Sequence, residues 1–124
     1  MRQILSAAVP ILRSFDEAEA KDFYLRFLGF EQGFEHRFEP GTPLYMEIKR
    51  DGCVLHISEH HGDATPGARV RIELVDVDGY HAEISERGHA RLRPGLCDQP
   101  WGNRELNIKD PFGNTLTFWQ PSQP

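Results

Sequence analysis

Three histidines stand close together in the stretch VLHISEHHGD, which runs from Val54 to Asp63: His56, His60 and His61, with Glu59 and Asp63 beside them. Imidazole nitrogens and carboxylate oxygens are the donors that divalent metals take. A metal site is therefore the first chemistry to weigh. Nucleophilic catalysis has no comparable signal. There is no Gly-x-Ser-x-Gly, no cysteine beside a recognisable base and no glycine loop built to cradle phosphate. The remaining candidates are aromatic. Trp101 sits in a Pro-Trp-Gly turn, where its neighbours restrict the chain and core packing is poor. Phe34 and Phe38 have even spacing along an extended segment, so they share one face.

The chain around these residues has 124 residues, the length of a single domain, taken as 1–124. Its net charge of -5 argues against a nucleic-acid partner and mildly favours a neutral or cationic ligand. GHARLRPG is a basic run too short to change that. No apolar run approaches the length of a membrane span. MRQILSAAVPILRS meets the acids of DEAEAKD too soon to serve as a secretory leader, so a cytoplasmic protein is expected. Cys53 and Cys97 fit no zinc spacing and read as reduced thiols.

ILSAAVPIL (4–12) reads as a strand, with Pro10 suited to an edge or bulge. A helix follows, capped by Asp16 and stopped by Gly29. EQGFEHRFE, TPLYMEIKR and CVLHISE alternate like three antiparallel strands joined by the turns EPGTP and RDG. After the loop HHGDATPGA the pattern restarts. RVRIELVDV is a strand and DGYHAEISERG a helix; ARLRPGLCDQPWG, NRELNIKD and TLTFWQP are three more strands. The halves echo one another: IKRDGCVLHI (48–57) matches IKDPFGNTLTF (108–118), and VPILRSFD (9–16) matches RVRIELVD (69–76). The expectation is an α+β chain of two tandem βαβββ modules, 4–59 and 69–120, with 60–68 as linker.

This duplicated unit resembles the vicinal oxygen chelate superfamily, which includes glyoxalase I, extradiol dioxygenases and the bleomycin-resistance proteins. FYLRFLGFE (23–31), VDVDGYHAEI (75–84) and DQPWGNRELNIKDPFGNTLTF (98–118) carry the resemblance over residues 4 to 120. QPWG, followed by KDP, is similar to the bleomycin-resistance proteins in particular. The resemblance implies curved half-barrel sheets. It also implies a homodimer whose first strand is often exchanged between chains.

The superfamily takes its metal ligands from the first and last strand of each half. In this sequence those positions fall on Val9, His56, Arg69 and Thr117. Valine has no donor, arginine stays protonated, and threonine is a poor ligand unaided. Only His56 qualifies, so no metal and no cofactor is expected. His60 and His61 read as solvated loop residues. The resemblance implies instead a binding protein that sequesters a bleomycin-type antibiotic. Trp101, held by Gly102, stacks on the drug's flat part. Phe34 and Phe38 line the groove, and His56 faces it. Glu35, or another of the acids Glu39, Glu47 and Glu59, meets a cationic group. Arg71 stands where the family places a second tryptophan; it can stack, but it repels a cationic tail. Trp119 reads as core or dimer packing. The alternatives are an enzyme of the same superfamily with an atypical site, or a pure interaction module.

Overall fold

The computed structural model describes residues 1–121. The first unit comprises β1 (Ile11–Arg13), α1 (Glu17–Lys21), a π-helical stretch (Asp22–Phe27), β2 (Glu31–His36), β3 (Tyr45–Arg50) and β4 (Cys53–Ser58). The second comprises β5 (Arg69–Glu73), α2 (Val77–Arg87), β6 (Leu96–Asp98), β7 (Asn103–Lys109) and β8 (Thr115–Pro121). Each unit forms a four-stranded sheet, ordered β1-β4-β3-β2 and β5-β8-β7-β6. The first strand of each unit runs parallel to the last, and the remaining pairs are antiparallel. This is the α+β duplication that the sequence echo implies.

Two expectations need correction. The strand expected over 4–12 begins only at Ile11. Residues 1–10 carry no regular structure, and Ile4 and Leu5 are about as exposed as side chains can be, at 91% and 90%. Pro10 lacks an N–H, although its carbonyl still accepts from His56 N at 2.9 Å. The helix from Asp16 is also not one α-helix. Asp16 caps it, accepting from Glu19 N at 2.9 Å, but after Lys21 the turns widen, and Leu28 N donates to Phe23 O, five residues back. The wider turn keeps Phe23, Tyr24, Phe27 and Leu28 all in the core.

Alternation sets the sheet faces. In β3 and β4 the residues Met46, Ile48, Leu55 and Ile57 are buried beneath the helices. Tyr45, Glu47, Val54 and His56 therefore point to the opposite, open face. In β8, Leu116 and Phe118 are buried, and Thr115, Thr117 and Trp119 take the open face. The hairpin RDG fixes this register. Asp51, with φ 52, and Gly52 form the two-residue connection that puts Arg50 opposite Cys53 and Glu47 opposite His56.

The units meet back to back through their helices, so both open faces look outward. Tyr80 Oη donates to Leu28 O at 2.7 Å, and Arg87 Nη1 to Phe27 O at 3.0 Å. Arg50 forms a two-pronged pair with Glu83 at 2.6 and 2.9 Å, and Arg87 reaches the same carboxylate at 2.6 Å. Hydrogen bonding from Arg50, then from Arg87, holds the Glu83 carboxyl down at about 2, against the desolvation that opposes it. A depressed carboxylate contributes stability above its unfolded value of 4.5 and loses it as pH falls toward 2. Glu83→Gln should therefore cost about 1 kcal/mol at pH 7. In thermal melts, the gap between wild type and variant should narrow from pH 5 to pH 3.

Candidate functional site

On the open face of the first sheet, β2, β3 and β4 bring four side chains together. The Phe34 and Tyr45 rings lie parallel with centroids 6.1 Å apart, and His56 presents an edge to both, at 5.3 and 5.2 Å. Tyr45 Oη lies 2.6 Å from His56 Nδ1, and Glu47 Oε2 lies 3.4 Å from Nε2. An ionised carboxylate only accepts, so a neutral His56 carries its proton on Nε2 and takes a hydrogen bond from Tyr45. Burial, then the charge of Asp63, pushes the Tyr45 hydroxyl above its usual range, which keeps it a donor. The Glu47 carboxylate lies over Gly33, where a Cβ would sit 2.3 Å from Oε1, so a side chain at that position would displace the carboxylate. Phe34 remains 49% exposed.

The structure separates Phe38 and Glu35 from this group. β2 ends at His36, and Phe38, 77% exposed, packs instead on His36 and His60 at 4.9 and 5.8 Å. Phe38 leaves the shared face because the strand stops two residues short of it, and the register shift between Gln32 and Glu35 turns Glu35 to the helix side. Glu35 pairs across the strands with the buried Met46, and its carboxylate meets Lys21 and Arg37 at 3.6 and 3.7 Å. It lies on the helix side, already neutralised. Glu47, opposite His56, is the acid beside this aromatic group.

His60 is half-buried rather than solvated. Its Nδ1 lies 3.4 Å from Asp63, which also accepts from the buried Ser58 hydroxyl at 2.7 Å, whereas His61 is exposed. No group of three His, Cys, Asp or Glu is placed to hold a metal among the described residues. At the four ligand positions of the superfamily, Arg69 and Thr117 bond each other at 2.9 Å, Val9 is 43% exposed, and His56 is engaged by Tyr45.

The second sheet presents a different wall. Across β5, β8 and β7 its open face reads Arg69, Thr115, Lys109, then Arg71, Thr117, Asn107, then Glu73, Trp119, Glu105. Arg71 Nη2 meets the buried Glu105 carboxylate at 3.0 Å, and its guanidinium lies 5.4 Å above the Trp119 ring. Trp119 is thus a half-buried open-face residue; of its two expected roles, core or dimer packing, the core role is corrected.

Trp101 lies at the tip of the β6–β7 hairpin. Gly102 N donates to Gln99 O at 3.0 Å, and Gln99 N to Asn103 O at 2.7 Å. Gly102 has φ 97, a conformation costly for any residue with a Cβ. Pro100 and Gly102 therefore fix a turn that holds Trp101 out, 63% exposed. A cleft of about 610 Å³ lies elsewhere, lined by Phe30, Arg50, Cys53, Ile72, Tyr80 and Phe118 among others. Arg50 there is already paired with Glu83, and burial pushes the Cys53 thiol upward, away from the reactive thiolate.

A family model described as "Glyoxalase superfamily protein" matches residues 2–123. The chain belongs to the glyoxalase superfamily. Within it, this glyoxalase superfamily chain is 27% identical to a bleomycin resistance protein of Geobacillus stearothermophilus, over 91% of this chain and 95% of that one. Two solved structures share 25% identity: a bleomycin-binding protein complexed with bleomycin (TM-score 0.72, covering 95% of this chain and 100% of that one) and TnmS3, an antibiotic-binding protein from Streptomyces sp. CB03234 (TM-score 0.67, 97% and 100%). Both superpose on the two-sheet arrangement described above. No helix among the described residues is long and apolar enough to cross a membrane.

Proposed function

We propose that this glyoxalase superfamily chain captures and sequesters a small organic molecule without a metal, a bleomycin-type antibiotic being the first candidate. The observation that carries the reading is Trp101, a rigid aromatic held in solvent by Pro100 and Gly102 with no packing role of its own. Rigid aromatics give large contact area at small entropic cost. Phe34, Tyr45 and His56 supply a second aromatic surface, Glu47 a carboxylate beside it, and Arg71 a stacking guanidinium on Trp119. The similarity to proteins that bind bleomycin and other antibiotics supports the same reading.

The captured molecule needs more than one chain to enclose it. Both open faces look outward, and Ile4, Leu5, Ile11, Phe34 and Trp101 are exposed apolar residues, a surface that soluble proteins normally cover. A homodimer in which residues 1–10 reach across to the partner covers it. Light scattering should give twice the chain mass of 14.2 kDa. A monomer at micromolar concentration contradicts the dimer.

The Tyr45–His56–Glu47 contacts favour one alternative, an enzyme of the same superfamily using acid–base chemistry. A thermal-shift screen with bleomycin and with divalent metals, followed by mass spectrometry of recovered bleomycin, separates the two. Sequestration predicts stabilisation by the drug of roughly 2.7 kcal/mol at a hundredfold excess over Kd, recovery of the drug unchanged, and no shift with metals. A shift with metals, or a chemically altered drug, supports the enzyme.

A further inference from the structure

The open face of the second sheet treats its two arginines differently. Arg71 has a carboxylate, Glu105, at 3.0 Å. Arg69 has none. Its Nη1 donates to Thr117 Oγ1 at 2.9 Å and to Asn107 Oδ1 at 3.2 Å, both neutral. Thr117 is fully buried, and its hydroxyl is itself fixed, donating to Asn107 Oδ1 at 2.6 Å. The guanidinium is therefore anchored along one edge by a rigid neutral platform, while Nε and Nη2 meet no acceptor among the described residues. Lys109 stands level with Arg69, across Thr115, exposed and likewise without a carboxylate partner among the described residues. With no carboxylate of the described residues beside either cation, this part of the face is locally positive in a chain whose net charge is -5.

We infer that Arg69, seconded by Lys109, forms an anion subsite on this face, so that the captured molecule is a flat compound carrying a carboxylate, sulfonate or phosphonate at one end. A preoriented guanidinium with two free donor positions matches the planar fork of such a group. Trp119 lies four residues along β8 from Thr115, roughly 13 Å at about 3.3 Å per residue. An aromatic body bound against Trp119 and Arg71 thus reaches Arg69 with its far end. The inference rests on the reading of the open faces as ligand-binding; it departs from the cationic drug named there as first candidate and assigns the ligand an anionic end.

The test uses a pair of probes with the same ring and different charge, 2-naphthoate and 2-naphthamide. Each is titrated into isotope-labelled full-length protein while the indole N–H signals of Trp101 and Trp119 are followed by NMR, which reads weak binding directly. The wild type should prefer naphthoate about tenfold, and the preference should shrink with added salt. Arg69→Gln should abolish it without changing naphthamide affinity, and Lys109→Gln should reduce it. Arg91→Gln, a charge removed from the Glu19 pair far from this face, should leave it intact. The NMR spectrum of each variant reports its fold. Equal affinity for the two probes, or a preference that survives Arg69→Gln together with Lys109→Gln, overturns the anion subsite and leaves the ligand-binding reading standing. If neither probe moves either indole signal, both fall together.

Discussion

Asp110→Ala should lower the melting temperature by roughly 10–20 °C, the largest stability loss available from one exchange outside the apolar core. The Asp110 carboxylate is only 4% exposed and accepts four hydrogen bonds. Oδ1 takes the backbone N–H groups of Phe112 and Asn114 at 2.9 and 2.8 Å and so shapes the β7–β8 turn. Oδ2 takes Asn114 Nδ2 at 2.9 Å and, across to the other unit, Tyr24 Oη at 2.5 Å. Asn114 Nδ2 also donates to Arg13 O at 2.9 Å, which ties the turn to β1. Alanine would strand a buried phenol, an amide and two N–H groups at once. Hydrogen bonds to a charged group contribute about 1.5–3 kcal/mol each, and partial water entry recovers some of it, so a net loss of about 3–5 kcal/mol follows. At about 3–5 °C per kcal/mol for a chain of this size, that gives the stated shift. Burial and the neighbouring Asp110 charge hold the Tyr24 phenol well above its ordinary range. Tyr24→Phe should therefore cost less, about 1–2 kcal/mol, because it removes one donor and leaves three. A melt in which Asp110→Ala matches wild type would show that the turn, not the carboxylate, joins the units.

Trp101→Ala should weaken drug binding about ten- to a hundredfold while leaving the melting temperature nearly unchanged. Stacking of a flat ring on an aromatic side chain contributes roughly 1–3 kcal/mol, by analogy with bases on protein aromatics, which is one to two decades of affinity. The fold should not notice, since Trp101 is 63% exposed at a hairpin tip whose geometry is set by Pro100 and Gly102. Gly102→Ala is the informative companion. A Cβ at φ 97 is strained even though nothing crowds it, so this variant should lose both turn and affinity. Calorimetry on the two variants separates contact from presentation.

Much of this arrangement was legible in the sequence because it follows from short-range rules. The alternation of VLHIS fixed which face His56 takes, and Asp16, Gly29 and Asp51–Gly52 marked a cap, a stop and a turn where the structure has them. Counting outward from Asp51–Gly52 would also have put Glu47 opposite His56 and brought Tyr45 alongside, two partners that the sequence reading did not bring together. What it misplaced depended on departures from regular geometry. The end of β2 at His36 left Phe38 off the face, and the register shift before Glu35 turned that residue toward Lys21. The widened turns after Lys21 were invisible because α- and π-helical residues share one apolar pattern. Residues 4–10 carry a strand's composition, but a strand needs a neighbour, and within one chain they have none. Trp119 reads as core or dimer packing from its place at the end of the strand, yet it shares the parity of Thr117, not of Phe118, and so leaves the core.

The central claim, capture of a flat small molecule at these faces, is tested most directly by titrating metal-free bleomycin into the wild-type protein and following tryptophan fluorescence. Trp119→Phe serves alongside, so that Trp101 is the only reporter. The account predicts saturable quenching in both proteins at tens of micromolar or below, and its loss in Trp101→Ala. An unquenched wild type at those concentrations contradicts the bleomycin assignment. Undiminished affinity of Trp101→Ala, measured by calorimetry, contradicts the placing of the groove.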